Sequence, residues 1–199
     1  MIGLMGGTFS PIHYGHLLMC ERIWEEFHLD KIVFMPAKQP PHKDNSQVVE
    51  AKNRFEMVCL AISDNPHFMA SDLELNREGV SYTVDTLETL KTLYGSQQEL
   101  GLIIGADSLV QLESWKNPAG ILSLATLIVA SRPDTLESRV TKTMVKLREC
   151  YGARILKSSH QAMNYSSTEI RERVRKGLTI KYYVPPAVEA YIYENGLYK

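Results

Sequence analysis

The chain has 199 residues, of which 44% are hydrophobic and 23% charged, and carries a net charge of -1. That length predicts one domain with a full core, since a second core would be cramped, and the composition excludes general disorder. A near-zero charge excludes a large electrostatic footprint for duplex nucleic acid, so any phosphate it binds is expected on a small ligand held locally.

The apolar run IGLM (2–5) opens the chain as a strand, and GGTFSPIHYGHL (6–17) turns it into a first helix over 15–29. A second strand, KIVFMPA (31–37), runs into the loop-like PAKQPPHKDNSQ (36–47), and a helix is predicted over 49–64. Then come a strand at 67–71, a helix at 82–94, strands at 100–106 and 125–131, a helix at 134–151 and a strand at 153–158. Two helical pieces, 166–177 and 185–196, close the pattern, with Gly177 and Gly196 where helices stop. Several strands lack polar alternation, as strands buried on both faces do. The repeated order of strand then helix predicts a Rossmann-like, doubly wound parallel sheet, an α/β fold with helices on both faces. A single domain over 1–199 is expected, its helical part from about 166 to 199 packed on it.

Cys20, Cys59 and Cys150 are widely spaced and in no CxxC pattern, which suggests neither a disulfide framework nor a zinc site. No apolar run reaches the roughly 18 to 20 residues of a membrane span, so no membrane partner is expected and the cytoplasm is the default. A homo-oligomer is left open.

In an open parallel sheet, ligands bind outside the carboxyl ends of the strands. The turn after the first strand lies on that edge. Gly6 and Gly7 are read as permitting backbone angles closed to other residues and letting a charged group approach the main chain. The helix opening near Tyr14 presents unpaired N–H groups and its positive dipole end, which suits phosphate. His13 and His16, three apart, place both imidazoles on one side of that site, where they can donate to oxygens that gain charge in phosphoryl or nucleotidyl transfer. Gly15 between them is read as leaving space for a nucleotide. Neither GxGxxG nor GxxxxGK[ST] occurs, which disfavours a common dinucleotide-binding oxidoreductase or a P-loop enzyme. No protein metal site is expected from the two histidines, because no supporting cluster is apparent.

GGTFSPIHYGHL resembles the GGTFDPxHxGHL signature of the nucleotidylyltransferase superfamily, and YSSTEIR (165–171) resembles its partner, [IV]SSTxIR. PAKQPPHK (36–43), SYTVDTL (81–87) and IGADSLVQLESW (104–115) are similar to the bacterial nicotinate-nucleotide adenylyltransferases. The resemblance implies adenylyl transfer from ATP to nicotinate mononucleotide, giving nicotinate adenine dinucleotide and pyrophosphate for NAD biosynthesis. It implies catalytic roles for His13, His16 and Arg171. ATP would be bound by Gly6, Gly7, Thr8, Phe9, His16, Gly105, Asp107, Ser166, Ser167 and Arg171. The mononucleotide would be bound by His42, Lys43, Thr83, Trp115, Lys116 and Arg132. Mg²⁺ would be held mainly by the ATP phosphates.

Several of these residues have a purely structural alternative. Trp115 stacks on the nicotinate ring or packs in the core, Thr83 receives the carboxylate or caps a helix, and Asp107 contacts nucleotide or caps the next helix. Lys43 and Arg132 are otherwise surface cations, and SST is by itself a good helix cap. Ser10 and Ile12 replace the commoner Asp and Pro of the signature, and Lys116 stands where relatives often carry Tyr. The same chemistry on nicotinamide mononucleotide or phosphopantetheine, and a non-catalytic nucleotide sensor, are the competing readings.

Overall fold

The computed structural model describes residues 1–38, 48–131, 137–161, 163 and 165–199. Its elements run β1 (Ile2–Gly7), α1 (Tyr14–Glu26), β2 (Lys31–Pro36), α2 (Ala51–Ile62), β3 (Phe68–Ala70), α3 (Thr83–Tyr94) and β4 (Leu100–Gly105). They continue with α4 (Ala106–Gln111), a 3-10 turn (Leu112–Ser114), α5 (Pro118–Leu124), β5 (Thr126–Ser131), α6 (Glu137–Tyr151), β6 (Ile155–Gln161), α7 (Ser167–Arg175) and α8 (Pro186–Glu194).

Each strand expected from the sequence forms, and all pair in parallel in the order β3-β2-β1-β4-β5-β6. The helices α4 and α5 were absent from the expected pattern of elements, although the capping alternative for Asp107 presupposed a helix after it. They are six and seven residues long, too short for apolar periodicity to show. A local signal marks α5 all the same: Asn117 adopts a left-handed backbone (φ 49°), its side chain accepts from Gly120 N–H, and Pro118 opens the helix.

The central strands β2, β4 and β5 are apolar on both faces because each face is covered. Along β2, Val33 and Met35 join one core and Ile32 and Phe34 the other, and β5 divides Leu127 and Val129 from Ile128 and Ala130 in the same way. The first core is closed by Leu87 and Leu90 of α3, Leu109 of α4, Ile121 of α5 and Leu147 of α6. The second is closed by Ile23 of α1, Met57 and Val58 of α2, Ile170 of α7 and Val188 and Ile192 of α8. Each such fully buried side chain contributes about 1.5–3 kcal/mol relative to exposure. Among the described residues, no helix is long and apolar enough to cross a membrane.

The chain leaves β1 outward to β3 and returns to β4 on the other side of β1, so the order reverses between β1 and β4. Their carboxyl ends, Gly7 and Gly105, therefore border the crevice in which this architecture binds ligands.

The C-terminal segment is fastened to the same edge. Tyr198 is 8% exposed, and its hydroxyl shares a buried 3.0 Å hydrogen bond with Ser10 Oγ. Burial pushes the phenol up from 10 to about 12. Its neutral form is the one the fold favours, so the contribution is complete below pH 10 and is lost as pH rises towards 12. Tyr198→Phe is expected to lose about 1–2 kcal/mol at neutral pH and to flatten the decline of stability between pH 10 and 12, read by urea unfolding at stepped pH.

Candidate active site

A cavity of about 910 Å³ opens at the β1/β4 edge. On one side it is lined by Gly6, Gly7, Thr8, Phe9, His13, Gly15 and His16, on another by Ser166, Ser167 and Arg171, and on a third by Thr83, Gly105, Asp107, Trp115 and Lys116. These are the expected site residues, except His42, Lys43 and Arg132, which lie outside the described residues.

The two histidines form a reciprocal cap. His13 is the N-cap of α1, and His16 N–H donates to its Nδ1 while His13 N–H donates to Nδ1 of His16, both at 3.3 Å. The rings stack at 3.7 Å with 13° between planes. His13 is nearly enclosed, at 5% exposure. Gly15 has a different task from the one its position suggested. A Cβ there would meet Tyr165 Cβ at 2.8 Å and His13 Nδ1 at 3.0 Å, so the space it leaves is filled by protein.

The first two glycines also differ from expectation, for neither Gly6 nor Gly7 has a positive φ. A Cβ on Gly7 would strike the Phe9 ring at 2.9 Å, whereas one on Gly6 or Gly105 would meet open space. Gly6 and Gly105 thus bare the main chain of two neighbouring strand ends to the cavity. The left-handed residue of the turn is Phe9, at φ 48°, a strain of about 1–3 kcal/mol. Its buried ring is wedged edge-on to His16, with centroids 5.2 Å apart.

The second signature segment is bonded to the first. Ser167 Oγ donates to the Pro11 carbonyl at 3.0 Å, and Arg171 Nη1 donates to the Ser10 carbonyl at 2.9 Å. Arg171 Nη2 donates to Thr168 Oγ1 at 3.2 Å, while its buried Nε has no hydrogen-bond partner among the described residues. Ser166 is the N-cap of α7 through Glu169 N–H, as the structural alternative required. From this segment Ser166, Ser167, Thr168 and Arg171 line the cavity, at a helix start whose first N–H groups lack intrahelical partners.

On the third side, the capping alternatives for Thr83 and Asp107 fail. The N-caps of α3 and α4 are Tyr82 and Gly105, neither with a side-chain cap bond, so both residues sit inside their helices and face the cavity. Trp115 is half-buried and packs on the first core. Lys116 Nζ lies 3.2 and 3.1 Å from the Asp85 carboxylate oxygens and 4.5 Å from the Tyr82 ring centre. The cavity also reaches Glu74, Ser81 and Thr86, which the sequence reading missed. Thr86 Oγ1 donates to Glu74 Oε1 at 2.7 Å, and burial pushes the Glu74 carboxyl up. Tyr165, also missed, lies one place before SST and stacks on His13 at 6.0 Å. Among the described residues, no three His, Cys, Asp or Glu side chains cluster as a metal cage would need.

Comparisons with known proteins agree with this geometry. A family model described as cytidylyltransferase-like matches residues 4–173. The probable nicotinate-nucleotide adenylyltransferase of Thermoanaerobacter sp. (strain X514) is 43% identical over 198 residues, covering 100% of this chain and 94% of the relative. That of Desulfitobacterium hafniense (strain Y51) is 44% identical over 204 residues, covering 100% and 95%. A solved Plasmodium falciparum nicotinic acid mononucleotide adenylyltransferase, complexed with NaAD, shares the fold with a TM-score of 0.79 at 20% identity, over 99% of this chain and 96% of that one. Two signature segments bonded across one crevice and full-length likeness above 40% lead to one conclusion: the chain belongs to the cytidylyltransferase-like family, among the nicotinate-nucleotide adenylyltransferases.

Proposed function

We infer that the chain transfers the adenylyl group of ATP to nicotinate mononucleotide, giving nicotinate adenine dinucleotide and pyrophosphate. The observation that carries the reading is the His13–His16 cap held beside Arg171 at the β1/β4 crevice. Because each Nδ1 accepts a backbone N–H, each neutral ring carries its proton on Nε2. Both imidazoles are thereby set as donors before any ligand arrives, as stabilisation of developing charge requires.

In the proposed reaction the 5′-phosphate of the mononucleotide attacks the α-phosphate of ATP in line, and pyrophosphate leaves. No covalent enzyme intermediate is needed. His16 and His13 donate to the α- and β-phosphates. Arg171 and the N–H groups at the start of α7 hold the β- and γ-phosphates. Gly6, Gly7, Thr8, Phe9, Gly105 and Asp107 shape the remaining ATP site. The triphosphate would bring Mg²⁺ with it: among the described residues the cavity offers two carboxyl groups, Glu74 and Asp107, which suits an ion ligated by phosphates and water. When bound, the ion neutralises phosphate charge.

For the mononucleotide, Trp115 offers a ring to stack on and Thr83, at the first turn of α3, a hydroxyl and N–H groups for the carboxylate. Lys116 adds a cation at the same mouth. His42, Lys43 and Arg132 are assigned to the mononucleotide from the sequence alone.

Pyrophosphate release with ATP and Mg²⁺ is expected with nicotinate mononucleotide and to be far slower with nicotinamide mononucleotide or phosphopantetheine. His16→Ala should lower kcat by about 10²-fold or more. Preference for another acceptor would overturn the mononucleotide assignment, and no release at all would overturn the enzyme. Gly15→Ala should unseat the His13 ring, removing about 1 kcal/mol of helix capping and roughly 10²-fold of turnover. Imidazole nitrogen NMR reads the loss directly, as departure of His13 and His16 from the single Nε2–H tautomer.

A further inference from the structure

The most buried charged side chain among the described residues is Arg54, which lies outside the cavity. It lies on α2 at 1% exposure, in the phase of the apolar stripe formed by Met57, Val58, Ala61 and Ile62. Among the described residues no carboxylate is within ion-pair distance of it, and burial draws its pKa down. A well-packed apolar side chain in such a place is often neutral or more stable than a buried ion, so packing alone does not account for an arginine.

Its hydrogen bonds do. Nη1 donates to the Thr8 carbonyl at 2.8 Å, Nη2 to the Lys38 carbonyl at 3.3 Å and Nε to the Val49 carbonyl at 3.0 Å. Thr8 lies in the turn after β1, and Lys38 follows β2. Lys38 in turn reaches the segment leading into α3, its N–H donating to Ser81 Oγ at 3.2 Å and its Nζ to the Arg77 carbonyl at 2.9 Å. One guanidinium fork and one lysine therefore tie together loops from the carboxyl ends of β1, β2 and β3. Neither side chain lines the cavity.

We propose that Arg54, acting through Lys38, is a positioning residue that sets the ATP-side turn around Thr8 against the mononucleotide-side helix start at Thr83. The proposal rests on the adenylyl-transfer reading above. Each substrate still meets its own contacts when the brace is cut, but the two phosphates no longer stand in register. In-line attack needs reacting atoms about 3–3.5 Å apart, and a 1 Å misplacement costs about 10²-fold in rate. Separate affinities therefore stay and turnover goes.

The test uses the full chain with Arg54→Lys, which keeps a charge but not the three-way fork, and Lys38→Met, which removes only the Nζ link. ATP and nicotinate mononucleotide are titrated separately by calorimetry, and kcat is read from pyrophosphate release with both saturating. Arg54→Lys is expected to lower kcat by about 30-fold or more and Lys38→Met by about threefold to tenfold, with each affinity within about threefold of native. Unchanged kcat, or affinities that fall in step with kcat, would reduce Arg54 to a packing residue. If Arg54→Lys does not fold, Lys38→Met decides alone by the same split. The native chain is the control: no turnover there refutes the adenylyl-transfer reading and the brace with it, whereas native turnover without the split refutes the brace alone.

Discussion

Three backbone carbonyls in the turn after β1, those of Thr8, Ser10 and Pro11, set the terms for the rest of the molecule. A turn that doubles back against the protein cannot leave such groups unpaired without losing on the order of 1–3 kcal/mol for each. Here none is satisfied by secondary structure. Arg54 of α2 takes the first, Arg171 of α7 the second and Ser167 of α7 the third. Residues from 46 to 161 positions away thus hold one turn. The docking of α7 and α8 on the second core follows, because Ile170, Val174, Val188 and Ile192 supply the apolar burial that keeps those donors in place.

The same bonds explain how a chain of net charge -1 can present a phosphate site. Its positive potential is local, made of Arg171, helix starts and imidazole donors around one crevice. Each donor is oriented by a bond to protein rather than by the ligand: His13 and His16 by each other's backbone, Arg171 by Ser10 and Thr168. Donors fixed beforehand need little reorganisation when charge develops, which is where electrostatic catalysis gains most.

Much of this was legible in the sequence. The inner strands β2, β4 and β5 announce themselves as unbroken apolar runs, and the repeated strand-then-helix order located β1, β3 and β6 with them and implied parallel pairing. Residues that touch the cavity through short motifs, such as His13, His16 and Arg171, were also readable. What failed were arguments that assigned a residue a job from its type alone. Gly6 and Gly7 suggested special backbone angles, but the left-handed position fell to Phe9. Gly15 suggested ligand space and instead accommodates His13. For Thr83 and Asp107 it was the capping alternative that fell, since the caps are one and two residues earlier. Arg54 left a signal that went unused: an arginine in phase with Met57, Val58 and Ala61 is out of place on an amphipathic helix unless backbone carbonyls await it. Ser81 opens the stretch SYTVDTL but was given no role there, and Glu74 left no signal, since a loop returns to the site only through the fold.

The departures from the family signature follow from the same local accounting. The Ser10 hydroxyl is buried and shares its hydrogen bond with Tyr198, a phenol that burial keeps neutral. Ile12 is fully buried in the second core, where a branched aliphatic side chain fills volume. Lys116 is anchored on Asp85 and the Tyr82 ring, so its charge is spent partly on a carboxylate in the first turn of α3. With that carboxylate paired, the helix start beside Thr83 keeps the positive end of its dipole for an incoming anion. Lys116 thus puts a cation at the cavity mouth and partly neutralises Asp85 beside the start of α3.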